Sequence, residues 1–373
     1  MGKIPNGFEV IAAFEQFSPK HLAMEGDKIG LQIGTLNKSV KNVMVALDVL
    51  EEVVDEAIDK QVDLIIAHHP LIYRPLQKID TNQPAGRIVE KLIKNDITVY
   101  AAHTNLDVTK GGVNDWIAEA LELQNTKVLS PTYEVGLKKL AVFVPKEAEQ
   151  QVREALGNAG AGHIGAYSHC TFTSGGHGTF MPGEETNPYI GTTGQLERVE
   201  EVKIETVFTA DIEKRVLSAM IKAHPYEEVA YDIYSLANKG EILGLGRIGE
   251  LSQEMSLEAF ATYVKKAFDV KGVRVVGNLK DTVKKVAVLG GDGNKYFMSA
   301  KFAGADVYVT GDMYYHTAHD AMMAGLNIVD PGHNIEKVMK QGVTNVLTAH
   351  SNKQKWELNI FPSEIHTDPF VFM

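Results

Sequence analysis

The chain has 373 residues, 44% of them hydrophobic and 23% charged. That is a globular composition, too long for one ordinary core, and it predicts two or three domains. A net charge of −11 argues against general nucleic-acid binding, no stretch approaches the roughly 20 apolar residues of a membrane span, and a single cysteine, Cys170, excludes an intramolecular disulfide or an all-cysteine zinc site.

Residues 8–17 show helical spacing up to Ser18-Pro19, and Asp27 to Gly34 reads as a turn and strand. Asn42 to Leu47 is a predicted strand with Asp48 at its end, and residues 50–60 are an acidic helix. The run Leu64-Ile65-Ile66-Ala67 stops at His68-His69-Pro70, and the proline biases His69 away from helical geometry. An amphipathic helix, Ala85 to Lys94, leads to a second apolar run, residues 97–102, which ends in His103-Thr104-Asn105-Leu106-Asp107. A helix through Leu121 follows Gly111-Gly112. Strand and helix alternate throughout, which predicts a mainly parallel sheet in an N-terminal α/β lobe, residues 1–130.

Near Ser130-Pro131 the pattern changes. Leu140 to Pro145 is a strand, Glu147 to Leu156 a helix, and 157–194 a Gly-rich region holding His163, His169, Cys170 and His177. Val202 to Phe208, Asp211 to Ala223 and Val229 to Ile233 then read as strand, helix and strand, with His224-Pro225-Tyr226-Glu227-Glu228 between the last two. Two such strand–helix–strand units predict an inserted ferredoxin-like α+β domain over 131–240. Alternation resumes in a C-terminal α/β lobe, 241–373. It has a helix from Ser256, a glycine turn at Gly290 to Gly293, a strand ending at Gly311-Asp312, and a helix carrying His316 and His319. A last strand then runs into Asp330-Pro331-Gly332-His333-Asn334-Ile335-Glu336.

Three apolar runs thus deliver imidazoles and carboxylates just past their carboxyl ends, the edge at which open α/β sheets bind ligands. Each histidine alone has an ordinary structural explanation, and spacing leaves a metal site and unremarkable histidines as even alternatives. His68 and His69 can face one cluster only if the chain turns there. His333 and Glu336 share a face if a helix begins at His333. Three imidazoles and two carboxylates suit two divalent ions, with Asp107 able to bridge them. The Gly290 turn could cradle a phosphate but reads better as structural. The histidines of the insert match no zinc spacing, and His316 and His319 read as solvated or packed.

The segments Asp27 to Gly34, Ala67-His68-His69-Pro70, His103 to Asp107 and Gly332 to Glu336, in this order, resemble the Nif-three-like family, whose members are often labelled GTP cyclohydrolase 1 type 2 homologs. The resemblance spans the whole chain and includes the PII/CutA-like insert of the longer bacterial branch. It implies a dinuclear centre of two divalent ions per subunit (zinc, iron or manganese) held by His68, His69, Asp107, His333 and Glu336. In some shorter members one more residue separates the last His and Glu. His103, a candidate proton-transfer group, and Asp48 fit supporting roles at the same sheet edge, with local capping or turn stabilisation as the equal alternative for both. The expected activity is metal-dependent hydrolysis, of GTP or of a phosphoester, by a toroidal homohexamer. The alternative is metal handling or regulation by the same site without catalysis. With no apolar leader at the N-terminus, a cytoplasmic location is expected, with a small nucleotide as the partner and neither nucleic acid nor membrane.

Overall fold

The computed structural model describes residues 2–373. Two units emerge, one built from residues up to Tyr133 together with Leu243–Met373, the other from Glu134–Ile242. The expected insert, 131–240, lies close to the second.

The first unit holds two sheets. One contains β1 (Gly30–Ile33), β2 (Asn42–Ala46), β3 (Leu64–Ala67), β4 (Thr98–Ala101) and β15 (Asn359–Pro362), in the order β1-β4-β3-β2-β15. All neighbours are parallel except β1 with β4. The other sheet contains β5 (Gln124–Glu134), β10 (Ile242–Ser256), β11 (Arg274–Val276), β12 (Thr282–Asp292), β13 (Val307–Gly311) and β14 (Asn327–Asp330), in the order β11-β14-β13-β12-β10-β5. Its centre, β12-β13-β14, is parallel. Each sequence lobe therefore lends a strand to the other's sheet, since β15 closes the first and β5 the second.

β3 and β4 are buried at every position, which is why they read as unbroken apolar runs rather than alternating ones. Val43, Val45, Leu64 and Ile66 face a core shared with Val286, Val288, Val307 and Val309 of the second sheet. Between them lie helices Gly7–Phe17, Val113–Ala120, Leu257–Ala267 and Val338–Gln354, which contribute Phe14, Ile117, Phe260 and Val343. Local signals start two of these helices. Asn6 and Glu9 form a reciprocal capping box, and Ser256 Oγ accepts from the Ala259 amide at 3.2 Å.

Helices Val113–Ala120 and Val338–Gln354 approach closely because residue 342 is glycine. A β-carbon there would lie 2.4 Å from the Trp116 ring, which is itself stacked on Phe17 at 6.1 Å. The contact is with the body of a ring already stacked on its other neighbour, so Gly342→Ala is expected to cost about 1–3 kcal/mol, the range for overpacking a core. Denaturant unfolding measures this, and an unchanged midpoint would refute the account.

The sequence reading places no strand over β5, β7, β10 or β15. β10 carries Gly244, Gly246 and Gly249, which look like chain breakers but are where β5 and β12 come close. A β-carbon at Gly244 would sit 2.1 Å from the Ser130 carbonyl, and one at Gly246 2.7 Å from that of Val288. Glycine here permits close backbone approach.

The second unit contains β6 (Leu137–Pro145), β7 (Phe172–Phe180), β8 (Glu197–Thr209) and β9 (Tyr231–Ser235), in the antiparallel order β7-β8-β6-β9, with helices Glu149–Asn158 and Glu213–Ala223. Leu140, Val142, Val152, Leu156, Val216 and Met220 fill its core. The Gly-rich region 157–194, to which the sequence assigns no strand, contributes the whole of β7. Among the described residues no helix is long and apolar enough to cross a membrane.

Candidate metal centre

The carboxyl ends of β2, β3 and β4 meet those of β12, β13 and β14. His68 and His69 follow β3, and their amides still pair with the carbonyls of Ala46 and Leu47 at 3.1 and 2.9 Å. His103 follows β4, and Asp107 projects from the helix Thr104–Val108. Beyond β14, Asp330 shapes the turn by accepting from the amides of Gly332 (2.8 Å) and Met313 (2.9 Å). Gly332, at φ +87°, then starts a 3₁₀-helix, His333–Lys337.

That helix type settles the His333–Glu336 spacing. With three residues per turn, positions i and i+3 eclipse, and His333 Nε2 lies 3.1 Å from Glu336 Oε2. The short gap therefore suits a 3₁₀ turn. Asp330 shapes the turn and stays out of the cluster.

Every imidazole here is held at Nδ1 by a group that can only accept. His68 Nδ1 donates to the Ala102 carbonyl at 2.9 Å, His69 to Asp48 at 2.6 Å, His103 to Asp27 at 2.9 Å and His333 to Asp312 at 2.7 Å. In the neutral rings this fixes the proton on Nδ1 and leaves Nε2 as the free lone pair, the arrangement typical of metal-binding histidine. The carboxylates are braced too. Thr367 Oγ1 donates to Asp48 at 2.5 Å, and Thr104 donates to Asp27 through both its amide and its hydroxyl.

The Nε2 atoms converge. His69 Nε2 is 3.3 Å from His333 Nε2 and 3.1 Å from Glu336 Oε2, and His68 Nε2 is 3.7 Å from that same oxygen and 3.6 Å from Asp107 Oδ1. Three overlapping groups have the spacing to hold a cation: His69, His333 and Glu336; His68, Asp107 and Glu336; and His68, His69 and His103. The carboxylate common to two of them is Glu336. Asp107, which the sequence reads as able to bridge two ions, belongs to one of these groups.

The deep side of the cluster is closed. His68 is 0% exposed, Glu336 3% and Asp107 9%, and His68 Nε2 and Asp107 Oδ1 are buried without a hydrogen-bond partner. Such orphaned atoms are rare in folded proteins, and a cation between them would satisfy both. Burial, the strongest influence on Asp107, and the nearby Glu336 outweigh the histidines and raise its carboxyl to about 6. For Glu336, burial opposes ionisation, but the histidines around it prevail and hold it well below the usual carboxylate range.

Glycines make the room. A β-carbon at Gly291 would stand 2.7 Å from Glu336 Oε1, and one at Gly311 2.7 Å from the His333 amide nitrogen. The Gly290 turn is thus a wall of the cluster. Asn114, buried, ties that wall to the opposite sheet by donating to the Asp107 carbonyl and accepting from the Gly290 amide, both at 3.0 Å.

Sequence reasoning missed Asp27, Asp312 and Asn114. Asp312 follows a predicted strand at the same edge as the other site residues and was open to the same rule. Asp27 precedes its strand, and nothing in its spacing points to His103. His316 and His319 lie on helix Tyr315–Met323, His319 beside Tyr315 at 4.8 Å. His163, His169, Cys170 and His177 form no metal-binding group among the described residues.

The family model Duf34/NIF3 (NGG1p interacting factor 3) matches residues 5–369. A protein of Bacillus subtilis named GTP cyclohydrolase 1 type 2 homolog is 65% identical over 373 residues, covering 100% of both chains. A protein of the same name from Halalkalibacterium halodurans is 61% identical over 371 residues, again covering 100% of both. Among solved structures, a Bacillus cereus protein related to NIF3 matches with a TM-score of 0.95 at 65% identity over 100% of both chains. Staphylococcus aureus protein SA1388 matches with a TM-score of 0.76 at 33% identity over 99% of both.

Proposed function

The chain belongs to the Duf34/NIF3 family, and on that premise we propose that it is a metal-dependent hydrolase with a dinuclear centre. The observation that carries this reading is the set of four imidazoles braced at Nδ1, with two buried polar atoms left without partners between them. His68 and Asp107 would hold one divalent ion, His69 and His333 the other, and Glu336 both. The donor set of imidazole and carboxylate suits zinc, iron or manganese. Such a pair of ions supplies Lewis acidity and a water made acidic enough to act as a nucleophile near neutral pH.

The residues around the ions have separable tasks. Asp48 and Asp312 orient His69 and His333. His103, paired with Asp27 and about 27% exposed at its side chain, is placed to accept or return a proton. Its partner Asp27 and the nearby Asp107 outweigh burial and raise its pKa above the ordinary histidine value. The name carried by the Bacillus subtilis relative points to GTP. Attack of one water at C8 would open the purine imidazole ring to a formamide, and hydrolysis of that formamide by a second water would release formate, with proton transfer to the departing nitrogens falling to His103. A homohexameric assembly, cytoplasmic and acting on a small nucleotide, completes the proposal.

The test is formate release and product mass from GTP with the metal-reconstituted protein, beside Asp107→Ala. Turnover in the parent and none in the variant is the expected result. No formate from a preparation carrying two metals per chain would remove GTP as substrate, and light scattering of that preparation reads the assembly. Loss of all hydrolytic activity across nucleotides and phosphoesters would instead favour metal handling or regulation.

A further inference from the structure

The second unit contains a cavity of about 300 Å³ that the metal chemistry does not use. Its lining comes from Phe143 of β6, β7 through Gly178 and Phe180, the loop containing Tyr189, Glu201 of β8, and the segment Tyr226-Glu227-Glu228. We propose that this cavity binds a small organic cation, a quaternary ammonium or a protonated amine with an apolar body.

Four aromatic residues line the space, Phe143, Phe180, Tyr189 and Tyr226, and the last three form one cluster of rings. Phe180 and Tyr189 lie 6.0 and 6.1 Å from Tyr226, both tilted rather than stacked, so these rings do not cover one another face to face. Tyr226 is fixed at two points. Its amide donates to His224 Nδ1 at 3.1 Å, while His224 Nε2 donates to the Phe143 carbonyl at 2.9 Å. With both ring nitrogens occupied by backbone, His224 is a structural pin, and burial lowers its pKa and keeps it neutral.

The other end of Tyr226 meets charge. Its hydroxyl donates to Glu201 Oε1 at 3.1 Å, which leaves Oε2 unused by the tyrosine. Glu201 turns over β7 because residue 178 is glycine, where a β-carbon would fall 2.0 Å from that Oε2. Glu227, which accepts from the Asn187 amide at 3.0 Å, and Glu228 add two more carboxylates, and no Lys, Arg or His lines the cavity. Rings that present their negative faces, with carboxylates and no competing cation, favour a cation over a neutral or anionic molecule. The apolar rings favour an organic cation over a strongly hydrated inorganic ion. Anionic nucleotides are disfavoured on the same grounds.

Calorimetric titration of the full protein with choline, and with its neutral carbon isostere 3,3-dimethyl-1-butanol, tests the assignment. Choline is expected to bind once per chain, and the isostere about tenfold more weakly or worse. Glu201→Gln keeps an acceptor for Tyr226 and is expected to weaken choline about tenfold without changing the unfolding midpoint. Tyr189→Leu, at an exposed position, should also weaken it. Equal binding of choline and the isostere, no loss in Glu201→Gln, no binding at all, or competition by magnesium chloride at matched ionic strength would each overturn the proposal.

Discussion

Glu336→Gln is expected to strip both divalent ions from the protein, whereas Asp107→Asn should leave about one per chain. Glu336 Oε2 is 3.1 Å from Nε2 of both His69 and His333 and 3.7 Å from that of His68. The amide variant removes the negative charge from the one carboxylate common to two of the groups that could hold a cation, and places an N–H₂ or a weaker oxygen there. His68 and Asp107 would remain as two ligands for one ion, and His69 and His333 as two for the other, both short of the three protein ligands usual for a catalytic site. In Asp107→Asn the His69–His333–Glu336 group stays whole. Elemental analysis after dialysis against a zinc buffer reads the difference. If Asp107→Asn lost both ions and Glu336→Gln kept one, the bridging role would belong to Asp107 after all.

That His68, His69, Asp107, His333 and Glu336 would gather at one sheet edge was legible in the sequence, because they come after buried strands of parallel sheets, which announce themselves as apolar runs ended by polar residues. Their reading as metal ligands came from the family resemblance. Their division of labour was not legible. That Glu336 rather than Asp107 is common to two of the groups that could hold a cation depends on the 3₁₀ geometry of 333–337 and on the room left by Gly291 and Gly311, neither of which has a sequence period. The exchange of β5 and β15 between lobes was hidden for a different reason. Both are strands of mixed polarity, and β5 is mostly exposed or half-exposed along its length, so neither gives the continuous signal of β3 or β4. β7 is masked by its own glycines, including Gly178, which makes room for Glu201.

Zinc uptake at pH 8 is expected to release about two protons per chain, and metal-free protein should lose stability as pH rises from neutral towards 10. Burial opposes protonation of His69, but Asp48 and Glu336 outweigh it and hold the imidazole up to about 10. For His333, burial is likewise outweighed, by Glu336 and Asp312, and its pKa rises to about 9. An unfolded histidine titrates near 6.5. The stability these two rings contribute in the metal-free fold is therefore fully present below about 6.5 and is lost as pH climbs through about 9 and then 10. A divalent ion needs the Nε2 lone pairs those protons occupy, so binding expels them, and high pH favours the loaded protein where it weakens the empty one. Thermal unfolding of chelator-treated and zinc-loaded samples across pH 6.5 to 10, with an indicator dye reporting protons on zinc addition, separates the two forms. Parallel pH profiles with no proton release would mean that zinc sits away from His69 and His333. The same result would remove the basis for reading this cluster as a metal centre.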